Sequence, residues 1–332
     1  MIVDLPDTTT SKVSRALVDL REEGGAVALG RVLTLIICTS KGEVEEAIAA
    51  ANDASREHPM RVIVLSIDAD ADSHQLDAEI RVGGDAGASE VIILRAHGDS
   101  ASNEESLVTG LLLPDAPVVA WWPGHAPAIT GESAIGRMAQ RRITDAAVQE
   151  DPRSFLLRLA ASYQPGDTDF AWTRLTLWRA QLAAVLDQPP YEPVTAVAVT
   201  GSNDSPSTTL LAAWLQGALR VHVEQTLVDS AGARPGIHSV TLSRPSGDIV
   251  LARVQPSVAE LTQPGQPNHD IPLPRRSLRD CLAEELRQLD PDDLFGRVIR
   301  DDLTRLDEPV TESIAIIPPA ADADGTASEG TP

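Results

Sequence analysis

Two apolar runs limit the fold more than any other feature of this chain. RVLTLIIC occupies 31–38 and RVIVLSI occupies 61–67. Neither alternates apolar with polar residues, so each reads as a strand covered on both faces, as in a parallel sheet. Between them Val44, Ala47, Ile48, Ala51 and Ala54 recur at helical spacing. Ser40-x-x-Glu43 has the form of a capping box ahead of that helix, and Pro59 ends it. Residues 31–67 therefore predict a βαβ unit, whose crossover should be right-handed.

The flanking segments extend this unit. Val13, Leu17 and Leu20 predict a helix over 11–23, with Gly24-Gly25 as a left-handed stop. Further strands are predicted at AEIRV (78–82), EVIILRA (90–96) and PVVAWW (117–122), with a helix near 103–113. The gap from 68 to 90 is too short for two helical crossovers, so 78–82 is expected to be an edge strand or a hairpin arm. Helices follow. Asp151 precedes Pro152 as an N-cap, and Phe155, Leu156, Leu159 and Tyr163 follow at compatible spacing. Asp169 is expected to cap a longer helix with Ala171, Leu175, Trp178, Leu182 and Val185 on one stripe.

DQPPYEP (187–193) interrupts the pattern and is the expected domain boundary. A second part opens with the strand VTAVAVT (194–200), a glycine turn and a helix over 205–217. HSVTLSR and DIVLARV flank Pro-Ser-Gly as a hairpin would. TQPGQPNHDIPLP (262–274) reads as a Pro-rich linker or arm. Ser277 is expected to cap a helix carrying Leu278, Cys281, Leu282, Leu286 and Leu289, with a short helix after it at 291–301. The expected fold class is α/β. An N-terminal, mostly parallel sheet flanked by helices, with a helical extension, fills 1–190. A smaller mixed α/β domain fills 191–317. The tail 318–332 has little to bury and is expected to be disordered.

The formal charge of −22 opposes binding to nucleic acid or an anionic membrane and favours a basic partner surface. No apolar run reaches the length of a membrane span, about 18 residues. The N-terminus lacks the basic and apolar regions of a secretory signal. Two cysteines, Cys38 and Cys281, make no disulfide framework, so a reducing cytoplasm is the expected setting.

Catalytic signatures are sparse. Gly201-Ser202-Asn203-Asp204-Ser205 lies between a strand and a helix, where backbone N–H groups can cradle a phosphate. It lacks the second glycine and the lysine of a phosphate loop. An ordinary turn with Asp204 as N-cap is the plainer alternative. No G-x-G-x-x-G follows a predicted strand. The seven histidines show no metal-ligand spacing and neither cysteine belongs to a CxxC, so no metal and no cofactor is expected. His97 follows a buried strand, where open α/β sheets place ligands.

Trp121 and Trp122 are adjacent at a strand end, so one is expected to face inward and the other a cleft or partner. The alternative is that helices cover both. Arg141, Arg142 and Asp145 follow in a segment that reads as a solvated charged turn or as contact residues. Two rival functions stay open. One is a sugar-phosphate- or nucleotide-binding enzyme with its site at the C-terminal ends of the first sheet, near His97, Asp115 and Trp122. The other is a thiol-responsive regulator using Cys38 and Cys281.

LLLPDAPVVAWWPG (111–124), RRITDA (141–146), DFAWTRLTLWRAQLAAVLD (169–187) and RRSLRDCLAEELRQLDPDDLFGRVI (275–299) resemble the OpcA family of actinobacteria and cyanobacteria. The resemblance runs in order from the first helix to about residue 300. It implies a non-catalytic helper in the assembly and activation of glucose-6-phosphate dehydrogenase, an NADP-dependent enzyme. It brings no catalytic residues. The positions that match the family's motifs are Asp115, Pro117, Trp121, Trp122, Trp172, Arg174 and Trp178. Trp178 lies on the apolar stripe and reads as packing. Trp172 and Arg174 fall off it and are candidate partner contacts, together with Asp115, Trp121, Trp122, Arg141 and Arg142.

Overall fold

The computed structural model describes residues 1–23, 32–39, 44–82, 90–229, 235–307 and 310–312. The Gly24-Gly25 stop, the Ser40–Glu43 box and the tail 318–332 lie outside the described residues. The elements of the first half are β1 (Ile2–Leu5), α1 (Thr10–Glu23), β2 (Leu33–Thr39), α2 (Val44–Ala54), β3 (Met60–Asp68), β4 (Leu76–Arg81), β5 (Glu90–His97), α3 (Glu104–Thr109), β6 (Val118–Trp121), α4 (Ala134–Met138), β7 (Arg141–Thr144), α5 (Pro152–Ser162) and β8 (Asp167–Asp169). They form an eight-stranded sheet in the order β1-β4-β5-β3-β2-β6-β7-β8.

From β5 to β8 every neighbouring pair is parallel. Numbered by sequence among themselves, these six strands stand in the order 3-2-1-4-5-6, that of a doubly wound nucleotide-binding sheet. Its topological switch point lies between β2 and β6. β4 is the arm of an antiparallel hairpin with β5, as its length requires. It is not the edge, because β1 pairs along its other side. β2 and the first part of β3 are buried on both faces, which is why their sequences are continuously apolar. α2 covers one face with Ala47, Ile48, Ala51 and Ala54, and α1, α3 and α4 cover the other.

The second half contains α6 (Phe170–Thr173), α7 (Thr176–Leu186), β9 (Ala196–Ser202), α8 (Pro206–Leu219), β10 (Val223–Val228), β11 (Ile237–Ser243), β12 (Ile249–Gln255), β13 (Val258–Thr262), β14 (His269–Pro272), α9 (Leu278–Arg287), α10 (Asp293–Arg297) and β15 (Val310–Glu312). The seven strands order as β14-β13-β12-β11-β9-β10-β15. β9, β10 and β15 are parallel and the rest antiparallel. β11 and β12 form the expected hairpin. The Pro-rich segment 262–274 is not a free arm, because it contributes β14 as a further antiparallel strand. Strands β11 and β13 alternate buried and partly exposed residues, the mark of a sheet packed on one face only.

The cores do not follow chain order. Phe155, Leu156 and Leu159 of α5, with Trp172, Trp178, Leu182 and Val185, bury against the second sheet. The late helix α9 returns to the first sheet and packs Cys281, Leu282 and Leu286 beside α2. Residues 187–193 join α7 to β9, between the two sheets. The stripe predicted after Asp169 is buried as expected, but Arg174 and Leu175 divide it into α6 and α7.

Candidate functional site

Four of the seven candidate contact residues meet at the seam where β7 and β8 join α6, α9 and α10. Arg141-Arg142-Ile143-Thr144 is a fully buried strand, not a solvated turn. Strand alternation sends the two guanidinium groups to opposite faces. Arg141 Nε donates to Glu285 Oε2 at 2.9 Å, and Nη1 donates to the Asp290 carbonyl at 2.8 Å. Arg142 Nε donates to Asp167 Oδ1 at 2.5 Å, and its remaining groups donate to the carbonyls of Ala139 and Pro165. Each buried cation thus meets a buried carboxylate, without which its desolvation would be prohibitive.

Arg174 grips Asp145 with two parallel hydrogen bonds of 2.7 and 2.6 Å. This bidentate geometry is the strong form of such a pair. The Asp169 carboxylate caps α6, accepting from the backbone N–H of Ala171 at 2.8 Å, and also accepts from the N–H of Ala146 and the hydroxyl of Thr144. Burial, reinforced by the nearby Asp145 carboxylate, raises its pKa to about 6 despite these donors. Trp172 is buried against Phe295, its indole N–H donating to Asp292 Oδ2 at 2.8 Å, with the Arg179 guanidinium 3.8 Å above the ring. The off-stripe position of Trp172 therefore marks a second buried face and not a free one.

Trp121 and Trp122 do face opposite sides of the sheet, but both are covered, at 0% and 5% exposure. Trp121 packs on Phe170 on the α2 side, and Trp122 lies in the core on the α3 and α4 side. Asp115 is exposed, on a left-handed turn ahead of β6. That turn sits at the amino end of the sheet, since Thr34, at the start of β2, bonds to Leu113 and Pro117. His97 and Trp122 lie at the carboxyl end, so the three do not form one site.

The carboxyl-end crevice at the switch point is nevertheless real. Cys38, Thr39, Leu65, Glu104, Trp122 and His125 line a cavity of about 280 Å³ there. Its lining mixes polar and apolar groups, and burial raises the pKa of Glu104 from its ordinary value. Among the described residues no arginine or lysine lines it, so it offers no fixed positive charge to the pyrophosphate of a dinucleotide. Burial also raises both thiols, Cys281 to about 12. Cys38 packs on one face of the sheet and Cys281 is buried on the other, so the sheet separates them. Among the described residues no cluster of histidine, cysteine or carboxylate side chains is arranged for a metal, and no helix is long and apolar enough to cross a membrane.

Sequence reasoning missed Glu285 and Asp292. Glu285 had a legible signal, because it falls four residues after Cys281 on the apolar face of α9. A carboxylate on such a stripe needs a buried cation.

Two family profiles match the chain. The one described as glucose-6-phosphate dehydrogenase subunit N-terminal domain matches residues 51–161. The one described as the C-terminal domain of the same subunit matches residues 165–299. No curated protein matches the sequence. Among solved structures, an oxidoreductase from Thermotoga maritima is similar at 8% identity and a TM-score of 0.41, over 82% of this chain and 94% of its own. The myo-inositol dehydrogenase of Lactobacillus casei, solved with NAD(H) and myo-inositol, is similar at 11% identity and a TM-score of 0.39, over 82% and 93%. Structural likeness at these scores carries no argument about chemistry.

Proposed function

Because the chain belongs to the OpcA family of glucose-6-phosphate dehydrogenase assembly proteins, we propose that it acts without chemistry of its own, by binding that dehydrogenase and favouring its active oligomer. The observation that carries this reading is the match of both family domains, in order, across most of the chain. The buried polar groups are consistent with it. Arg141, Arg142, Arg174 and Asp169 are engaged in joining elements, and no nucleophile with an adjacent base stands among them.

The mechanism follows from linkage. A protein that binds one oligomeric state of an enzyme more tightly than another shifts the population by its differential affinity and no more. A tenfold preference is worth about 1.4 kcal/mol. The charge of −22 suits a basic surface on the dehydrogenase and speeds the encounter. Asp115 and its turn are the proposed direct contact. Trp121, Trp122, Arg141, Arg142, Trp172 and Arg174 are buried or ion-paired and serve the fold, not the contact. We place the protein in the cytoplasm and keep 187–193 as the crossing of the chain between its two sheets, each of which is completed by helices from the other side of that crossing.

The test is to titrate the purified chain into the dehydrogenase at low salt while following sedimentation and turnover. The expected result is a saturable rise in activity with a larger oligomer, weakened by raised salt. Unchanged activity, substrate affinity and oligomeric state would overturn the proposal.

A further inference from the structure

We infer that the cavity at the carboxyl end of β9 binds a small phosphate monoester. Its lining includes Arg174, Arg253, Arg275, Arg276, Ser205 and Ser207. Four guanidinium groups around one cavity stand out in a chain with 27 basic against 49 acidic residues.

Three features favour an anion. First, the cavity lies where β9 gives way to α8, a helix of 14 residues. Pro206 in the first turn has no N–H, and the Thr208 N–H donates to the Ser205 carbonyl at 3.0 Å, so this helix end favours an anion through its dipole and not through a row of free donors. The N-cap Ser205 makes no side-chain bond to the helix. Gly201 keeps the strand end and the helix close, because a Cβ there would collide with Thr208. Second, Arg253 and Arg275 come from different elements, one from β12 and the other from the segment after β14. Arg253 donates to the carbonyls of Pro256 and Leu273, and Arg275 to that of Pro235. Third, burial and repulsion by Arg275 lower the pKa of Arg253 to about 10. Burial lowers that of Arg275 as well, against the attraction of Asp204 at the rim. A bound dianion reverses both shifts.

Size and shape narrow the ligand. The cavity measures about 190 Å³. A space of that size admits a phosphate with a short polar body. Pro274 and Arg275 at its mouth are exposed, so an ester group has a way out. Planar guanidinium forks from two directions match tetrahedral oxygens better than a carboxylate. Arg174 and Arg276 are already paired, with Asp145 and Glu284, and serve to hold the wall.

The site differs from the proposed dehydrogenase contact, and its test needs only the isolated full-length chain. Calorimetry with inorganic phosphate and with glycerol phosphate, at ionic strength fixed with chloride, measures binding. Trp178 lines the cavity, so tryptophan emission reports occupancy. Both probes should bind at one site. Ser205→Asp keeps an N-cap residue but brings a carboxylate to the site. It and Arg275→Gln should each weaken binding at least tenfold, with unchanged circular dichroism and melting. No binding by the wild-type chain, or equal binding by both variants, overturns the site. Binding of inorganic phosphate with glycerol phosphate excluded overturns the monoester assignment.

Discussion

Arginines do opposite work in two regions of this molecule. In the seam at β7 and β8, Arg141 and Arg142 are buried to 5–6% exposure, and each is matched to a carboxylate. In the cavity at β9, Arg253 and Arg275 donate to carbonyl groups, and the charge of Arg275 weighs on Arg253. The first arrangement is closed and needs nothing more. The second is a concentration of positive charge with an opening to solvent. The difference teaches that a guanidinium is read by the charge it faces. The adjacency of Arg141 and Arg142 in sequence says nothing about it.

The contrast can be broken experimentally, and the seam should respond most. Arg141→Met leaves Glu285 buried without its cation, and should lower unfolding free energy by about 3–5 kcal/mol in urea titration. Pairing it with Glu285→Met should recover most of the loss, because no charge is then stranded. A single variant as stable as wild type would place Arg141 in the same class as the cavity arginines. Trp172→Phe removes the indole donor to Asp292 and should cost about 1.5–3 kcal/mol by the same measurement.

Asp169 should give a smaller effect, confined to a pH window. Its folded pKa, about 6, lies above its ordinary value of 3.8. Between these values the folded state holds the proton more tightly than the unfolded state. The contribution to stability is therefore full below about pH 4 and lost as pH rises through 6. Asp169→Asn should remove this slope, so the wild-type minus variant difference in stability should fall between pH 4 and 6 and be flat outside that window. Arg275→Gln should move stability least, by no more than about 0.5 kcal/mol, as for an ordinary surface change. A large loss there would make it a structural residue like those of the seam.

Much of the fold was legible because it rests on periodicity. β2 and β3 are apolar on both faces, the hairpin β11–β12 carries its turn residues, and Ser277 and Asp280 form a complete capping box. The larger error came from distant pairing. β7 and β8 are short strands whose charged residues suggest solvent, and only a partner 144 residues away makes Arg141 a core residue. Ser205, not Asp204, proved to be the N-cap of α8, with Pro206 in the first turn. One residue is within the ordinary uncertainty of helix ends.

The amino-acid order by itself determined the βαβ beginning, the alternating strands of the second sheet, the caps at Asp151, Asp169 and Ser277, and the family. Each of these depends on neighbours within a few turns or on motifs along the chain. Only the tertiary structure decided that α9 closes the first sheet, that both adjacent tryptophans are covered, and that arginines at 174, 253, 275 and 276 share a cavity. Charge pairing and burial act through space between segments far apart in sequence, so local patterns do not carry them.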